Sequence, residues 1–269
     1  MTQLKSNVTK VLFQTEEYFY TYLGLNLLQL ASKYDLDLKK NRGLQEKGFD
    51  PFLYEVLKDS PNTFLCVLDV SSNKILFQTH NSKQNIEAAS LSKVWASMSA
   101  LDTNKGTLPS VSDYEDMLRL LVCSNNQTWD NIQDLGGGTE GVDKWAQEKG
   151  FNVEPDCKTN LVNAYDMCRF WSAVLRGQFL GSELILKLSS ACKTHDTRAL
   201  KYMPADCFLG GKTGTFEQAN HDSCWILYNG RFYVITVMTL LGSTNETLSD
   251  MTDEEVALLF RGLFDEFVQ

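Results

Sequence analysis

The sequence predicts an α/β chain of the α+β type: one antiparallel sheet flanked by terminal helices, with a mainly helical lobe inserted between the first and last strands. Three observations predict it. Short apolar runs of strand character stand near residue 63 and again after residue 207, with helical periodicity between them. The last two runs are joined by Asn229-Gly230, a strong signal for a two-residue hairpin and so for antiparallel pairing. An amphipathic helix closes the chain. Strands far apart in sequence then share one sheet, and a groove between sheet and helical lobe is where a site is expected.

Taken in order, residues 8–33 carry Val11, Leu12, Phe19, Leu23, Leu27, Leu28 and Leu30 at mixed helical spacing, so residues 1–49 read as a helical extension ending in the polar linker KYDLDLKKNRGLQEKG. Residues 50–269 read as the main domain. DPFLYEVLKDS is a short helix whose Asp50 and Pro51 suit a cap and first turn. TFLCVLDV and KILFQT are strands around the turn Ser71-Ser72-Asn73. The helical lobe spans about 87–203, broken by three glycines at 136–138. FLGGKTGTF and the hairpin CWILYNGRFYVITVMTLLG follow. Thr252 and Glu255 form a capping box for the last helix, whose Val256, Leu259, Phe260, Leu263, Phe264 and Phe267 share a face.

At 269 residues the chain can bury a sizeable core. Its formal charge of −9 argues against nucleic acid or an anionic membrane as partner. No apolar run is long enough to span a bilayer, and the first residues show no apolar signal region or cleavage site. Seven cysteines lie scattered, without C-x-x-C spacing and several within apolar strings, which reads as reduced thiols packed as small hydrophobes. His80, His195 and His221 lie far apart with no metal-ligand spacing. No cofactor and no metal are expected.

The stretch Gly210–Thr215, GGKTGT, carries the functional question. A phosphate-binding loop needs a glycine at 206, where Asp206 stands, and must lead from a strand into a helix, whereas this stretch leads into a hairpin. A nucleotide site therefore fails on spacing, context and charge. Two other motifs precede it. Ser90-Leu91-Ser92-Lys93 opens the helical lobe, and at i,i+3 Ser90 and Lys93 face one side of a helix. A serine hydroxyl becomes nucleophilic when a base takes its proton, and a lysine serves as that base where a low-dielectric site lowers its pKa. Ser124-Asn125-Asn126 supplies a proton relay in Ser124 and an amide-binding group in Asn126. Lys212 adds positive charge, Gly214 permits close backbone approach, and Thr215 N–H can join Ser90 N–H as an oxyanion hole, where losing one donor costs about 2.7–4 kcal/mol. Each motif alone is commonplace: a solvated helix face, a turn, a loop. Their order and their placement on helix, loop and strand make the signal.

With these three motifs the chain resembles the penicillin-recognising serine hydrolases, the class A β-lactamases and low-molecular-weight D,D-peptidases, over about residues 50–268. The resemblance implies a β-lactamase/transpeptidase-like fold and acylation of Ser90 by a small-molecule or peptide acyl donor, a β-lactam or a D-Ala-D-Ala-like amide. It implies Ser90, Lys93, Ser124 and Lys212 as catalytic residues, and Asn126, Thr213, Gly214 and Thr215 for substrate and oxyanion. Class A enzymes deacylate through a Glu in an E-x-x-L-N stretch. Here Glu154 starts E-P-D-C-K, without the Leu-Asn and on a shorter loop. Glu154 is the candidate base, and its poor match implies a slowly deacylating enzyme. The alternatives are a true class A-like β-lactamase and a non-catalytic binding module on the same scaffold. No clear arginine stands in the strand after K-T-G to hold a substrate carboxylate; Arg231 follows the hairpin turn and is expected to point away, leaving Thr213 and Thr215 for that contact.

Other conspicuous residues read as structural. His221 is expected at the surface, and Trp95, Trp129, Trp145, Trp171 and Trp225 in packing. Asn7, Asn126 and Asn245 begin N-x-[ST] sequons, and a glycan on Asn126 would block the site, so eukaryotic secretion fits poorly. The signals for compartment conflict: the thiols suit a reducing interior, whereas the family's chemistry is met outside the cytoplasm.

Overall fold

A computed structural model describes residues 61–155, 160–217, 219–240 and 248–268. The expected extension over residues 1–49 and the short helix beginning at Asp50 lie outside the described residues.

Five strands form one antiparallel sheet: β1 (Thr63–Asp69), β2 (Lys74–Gln78), β5 (Phe208–Phe216), β6 (Ala219–Tyr228) and β7 (Arg231–Leu240), in spatial order β2-β1-β7-β6-β5. The first hairpin thus closes onto the last one through β1 and β7, paired from Thr63↔Thr239 to Asp69↔Tyr233. The β6–β7 turn is Asn229-Gly230, with φ of +46° and +73°. Positive φ at both central residues matches the right-handed strand twist, which is why this dipeptide fixes the register.

Alternation along the strands sends side chains to two separate cores. Phe64, Cys66 and Leu68 of β1, with Val234 and Met238 of β7, face the helical lobe. Leu65 and Val67, with Ile235 and Val237, face the C-terminal helix. Both faces are covered, so these strands read as continuous apolar runs rather than alternating ones.

The lobe contains α1 (Ser92–Thr103), α2 (Val111–Val122), α3 (Trp129–Leu135), α4 (Gly138–Glu148), α5 (Ala164–Leu175) and α6 (Ser182–Ser190). Ser110 and Asp113 form a reciprocal capping box on α2. Helix α1 is central: every residue from Ser92 to Leu101 is buried. Trp95 anchors it, its ring 4.5 Å from that of Phe170 and 4.8 Å from that of Phe151. Ser99 Oγ donates to the Gly136 carbonyl at 3.3 Å, which ties α1 to the end of α3. Lys93 is buried because its helix is.

Two further strands of two residues each, β3 (Ile86–Glu87) and β4 (Leu161–Val162), pair antiparallel and hold the chain just before α1. The closing helix, α7 (Leu248–Phe267), buries Val256, Leu259, Phe260, Leu263 and Phe264 on the sheet, as expected. It begins at Leu248, one turn upstream of the expected capping box at Thr252. No described helix is long and apolar enough to cross a membrane. The six described cysteines are free thiols, five of them buried.

Candidate active site

The K-T-G stretch is strand β5, in register with β6 from Phe208↔Leu227 to Phe216↔Ala219. Ser90 sits not in α1 itself but in the single 3₁₀ turn Ala89–Leu91 that precedes it. A Cβ on Gly214 would stand 2.7 Å from the carbonyl oxygen of Ala88 and 3.2 Å from the nitrogen of Leu91. Only a residue without a side chain lets β5 lie this close to the turn, and that approach brings Thr215 alongside Ser90.

Ala89 has φ +48°, a left-handed conformation that costs a non-glycine residue roughly 1–3 kcal/mol. Its neighbours impose it. The amide of Ala89 donates to Glu87 Oε1 at 3.2 Å, and Asn160 Nδ2 donates to the Ala89 carbonyl at 3.3 Å. The amide of Ala88 donates to the Asn160 carbonyl at 2.7 Å. Ser90, Lys93, Asn126 and Thr215 then line one cavity of about 420 Å³. Trp129, expected purely in packing, packs on the helical core and also borders this cavity.

Behind the cavity wall the two lysines meet on one hydroxyl. Lys93 Nζ donates to the Ser124 carbonyl at 2.7 Å and to Asn126 Oδ1 at 2.5 Å, and lies 3.3 Å from Ser124 Oγ. Lys212 Nζ donates to Ser124 Oγ and to the Thr213 carbonyl, both at 2.9 Å. Ser124 has φ +54°, which turns its carbonyl and its hydroxyl towards the same ammonium. Burial, then the charge of Lys212, pulls the Lys93 pKa down to about 7. Burial also lowers the Lys212 pKa, while Cys192 and Asp222 oppose the shift. A neutral Lys93 amine has two N–H bonds, matching the two short acceptors, and a lone pair left for a hydroxyl proton.

The hydroxyls of Thr213 and Thr215, on one face of β5, are both engaged from the loop before that strand. Thr213 shares a hydrogen bond with Thr194, and Arg198 Nη2 donates to Thr215 Oγ1. Arg198 is a cation that sequence reasoning missed. It is 7% exposed and also donates to the His221 carbonyl at 2.9 Å and to Asp253 at 2.7 Å. It precedes the K-T-G strand, in a polar loop with no periodicity to show it pointing inward. Arg231 lies 3.4 Å from Asp69, at the far side of the sheet.

Glu154 is not brought to the cavity. It is exposed and forms an antiparallel bridge with Leu161, Glu154 N to Leu161 O at 2.7 Å and the reverse at 2.6 Å. Residues 156–159 lie outside the described residues.

Two histidines differ from expectation. His221, expected at the surface, is fully buried. Its Nδ1 accepts from the Thr239 amide at 3.1 Å, so its Nε2 carries the proton and donates to the Glu87 carbonyl at 2.7 Å. Only the neutral ring suits both bonds, and burial holds its pKa down to about 4. An unfolded histidine titrates near 6.5. Between about pH 4 and 6.5 the unfolded chain therefore binds a proton that the folded chain refuses. This contribution is present above pH 6.5 and is lost as pH falls towards 4, by about 3 kcal/mol in all. Denaturant titrations across that window should show the loss in the wild type and a flatter profile in His221→Gln. Equal slopes would mean that His221 is not the group responsible.

His195, isolated in sequence, meets Asp222 and Cys224, with the three donor atoms within 4.8 Å of one another. Its Nδ1 donates to Asp222 at 2.8 Å. Burial alone would lower its pKa, but Asp222, Cys224 and Cys192 carry it well above its usual range. Conversely, burial would raise the Cys192 thiol, and His195 pulls it down to about 6. This buried group braces the loop that carries Thr194 and Arg198.

A family model described as the beta-lactamase enzyme family matches residues 104–258. Among solved structures, the TLA-3 extended-spectrum beta-lactamase aligns with a TM-score of 0.68 at 18% identity, covering 81% of this chain and 98% of that one. An ancestral Gram-negative class A beta-lactamase aligns at 0.67 and 18%, covering 81% and 98%. A beta-lactamase from Chitinophaga pinensis aligns at 0.66 and 16%, covering 80% and 96%. At these identities the likeness is one of fold. No curated protein matches by sequence.

Proposed function

This chain belongs to the beta-lactamase enzyme family, and from that premise we propose that it is a serine acyl-enzyme hydrolase. Its donor is a β-lactam or a D-Ala-D-Ala-like amide, and it deacylates slowly. Lys93 takes the proton of Ser90 as Oγ attacks the carbonyl carbon. The Ser90 and Thr215 amides receive the developing oxyanion. Ser124, held between Lys93 and Lys212, passes a proton to the departing nitrogen. Asn126 binds the substrate amide, while Thr213, Thr215 and Arg198 form the pole for a substrate carboxylate.

The observation that carries this reading is the pair of lysines on Ser124 Oγ, at 3.3 and 2.9 Å, with one of them sharing a cavity with Ser90. Slow deacylation is supported by the exposed position of Glu154, away from that cavity. Intact-mass measurement after incubation with benzylpenicillin tests both. A long-lived adduct of the intact drug's mass is expected on the wild type and none on Ser90→Ala. Rapid drug loss without an adduct would favour a fast β-lactamase, and binding that survives Ser90→Ala without any adduct would favour a non-catalytic module.

A further inference from the structure

The ester on Ser90 ends only when a nucleophile attacks it, and a water molecule does so at neutral pH with a base in reach. Among the described residues lining the cavity, Glu87 is the only carboxylate. It stands three residues before Ser90, at the end of β3. Its position is unusually well determined. Oε1 accepts from the Ala89 amide at 3.2 Å and from Asn160 Nδ2 at 2.6 Å. Its carbonyl accepts from His221 at 2.7 Å. Strand pairing with Leu161 holds its backbone from the other side. Both hydrogen bonds fall on Oε1, and Glu87 and Asn160 line the cavity together with Ser90.

We propose that Glu87 is the general base that deacylates Ser90, with Asn160 as the positioning residue that orients its carboxylate. This rests on the acyl-enzyme reading above. Glu87 Oε2 takes a proton from a cavity water as the water oxygen bonds to the acyl carbon. The tetrahedral adduct collapses, the bond from that carbon to Ser90 Oγ breaks, and Oγ recovers the proton from Glu87. The acid product then leaves.

The simpler role for Glu87 is a brace for the strained turn, and the test must separate the two. Glu87→Gln keeps an oxygen at Oε1 for the Ala89 amide but cannot accept the water's proton. With benzylpenicillin as probe and intact mass followed after removal of free drug, Glu87→Gln should acylate Ser90 and then hold the ester at least about 10²-fold longer than the wild type. Glu87→Asp, a carboxylate one methylene shorter, should recover part of the rate. An ester that Glu87→Gln clears at the wild-type rate would overturn the assignment while leaving the acyl-enzyme reading intact. The assignment fails equally if Glu87→Asp and Glu87→Gln slow deacylation to the same extent, because only bracing was then lost. If the wild type forms no adduct at all, the acyl-enzyme reading falls first, and this one with it.

Discussion

Lys93→Ala should slow acylation of Ser90 by about 10³-fold, within the 10²–10⁴ range of a positioned general base. The expectation follows from the state of the amine. Its pKa of about 7 makes roughly half of it neutral at neutral pH, whereas an ordinary lysine is almost wholly charged there. A base acts in its unprotonated form, so acylation of the wild type should rise with pH up to about 7 and then level off. Stopped-flow acylation by a chromogenic cephalosporin between pH 5.5 and 9 measures both effects. In Lys93→Ala the rate should be low and without that inflection. Should the variant retain the inflection, some other group is taking the proton, and Lys93 serves only as a hydrogen-bond donor to Ser124 and Asn126. Lys212→Ala should leave the inflection in place but shift it upward, because removing the second ammonium relieves repulsion on the first.

The parts of this site that could be read from the sequence are those whose geometry is local. Ser90 and Lys93 are three residues apart where the 3₁₀ turn Ala89–Leu91 runs into α1, and both line the cavity. GGKTGT reads as a strand because an Asn-Gly hairpin follows it, and Asn229 and Gly230 do adopt the left-handed conformations that the dipeptide favours. That the first and last strands share one sheet follows from the simplest closure of the chain, whereas their order within it does not. What was hidden depends on groups that meet from afar. Arg198 looks like a solvated loop charge until Thr215 and Asp253 surround it. His195 and Asp222, twenty-seven residues apart, bury each other. Glu87 reads as one more polar residue before the S-x-x-K run, because strands of two residues leave no periodicity to detect. His221 reads as a surface residue because it stands in the polar run Asn220 to Ser223. Burial of a polar side chain is set by its partner, and the partner of His221 is a strand end 134 residues earlier. Trp129 reads as packing because an aromatic beside a cavity obeys the same spacing as one within a core.

Asp222→Ala should be among the most destabilising single changes in the chain, costing about 3–5 kcal/mol, the range for removing one partner of a buried ion pair. Asp222 is fully buried. It accepts from His195 Nδ1 at 2.8 Å, from the Ala199 amide at 3.1 Å and from Cys224 at 3.1 Å. Alanine would leave a buried imidazolium and a buried amide without an acceptor. His195 has a folded pKa well above the unfolded value of about 6.5. The stability that the pair contributes is therefore fully present below pH 6.5 and is lost as pH rises through the folded pKa. The difference between wild type and Asp222→Ala should accordingly be larger at pH 6 than at pH 9. Asp222→Asn keeps the shape and an acceptor for Ala199 but not the charge, and should fall between the two. Calorimetric melting at both pH values reads this directly, with a fall in Tm of roughly 10 °C expected for the alanine variant at pH 6. The effect should reach the cavity too, because the braced loop carries Thr194 and Arg198 to the hydroxyls of Thr213 and Thr215. At temperatures where it stays folded, Asp222→Ala should bind carboxylate-bearing acyl donors more weakly while still acylating at Ser90. A variant that melts within about 1 kcal/mol of the wild type would show instead that His195 sheds its proton when alone, and that the pair contributes almost nothing net.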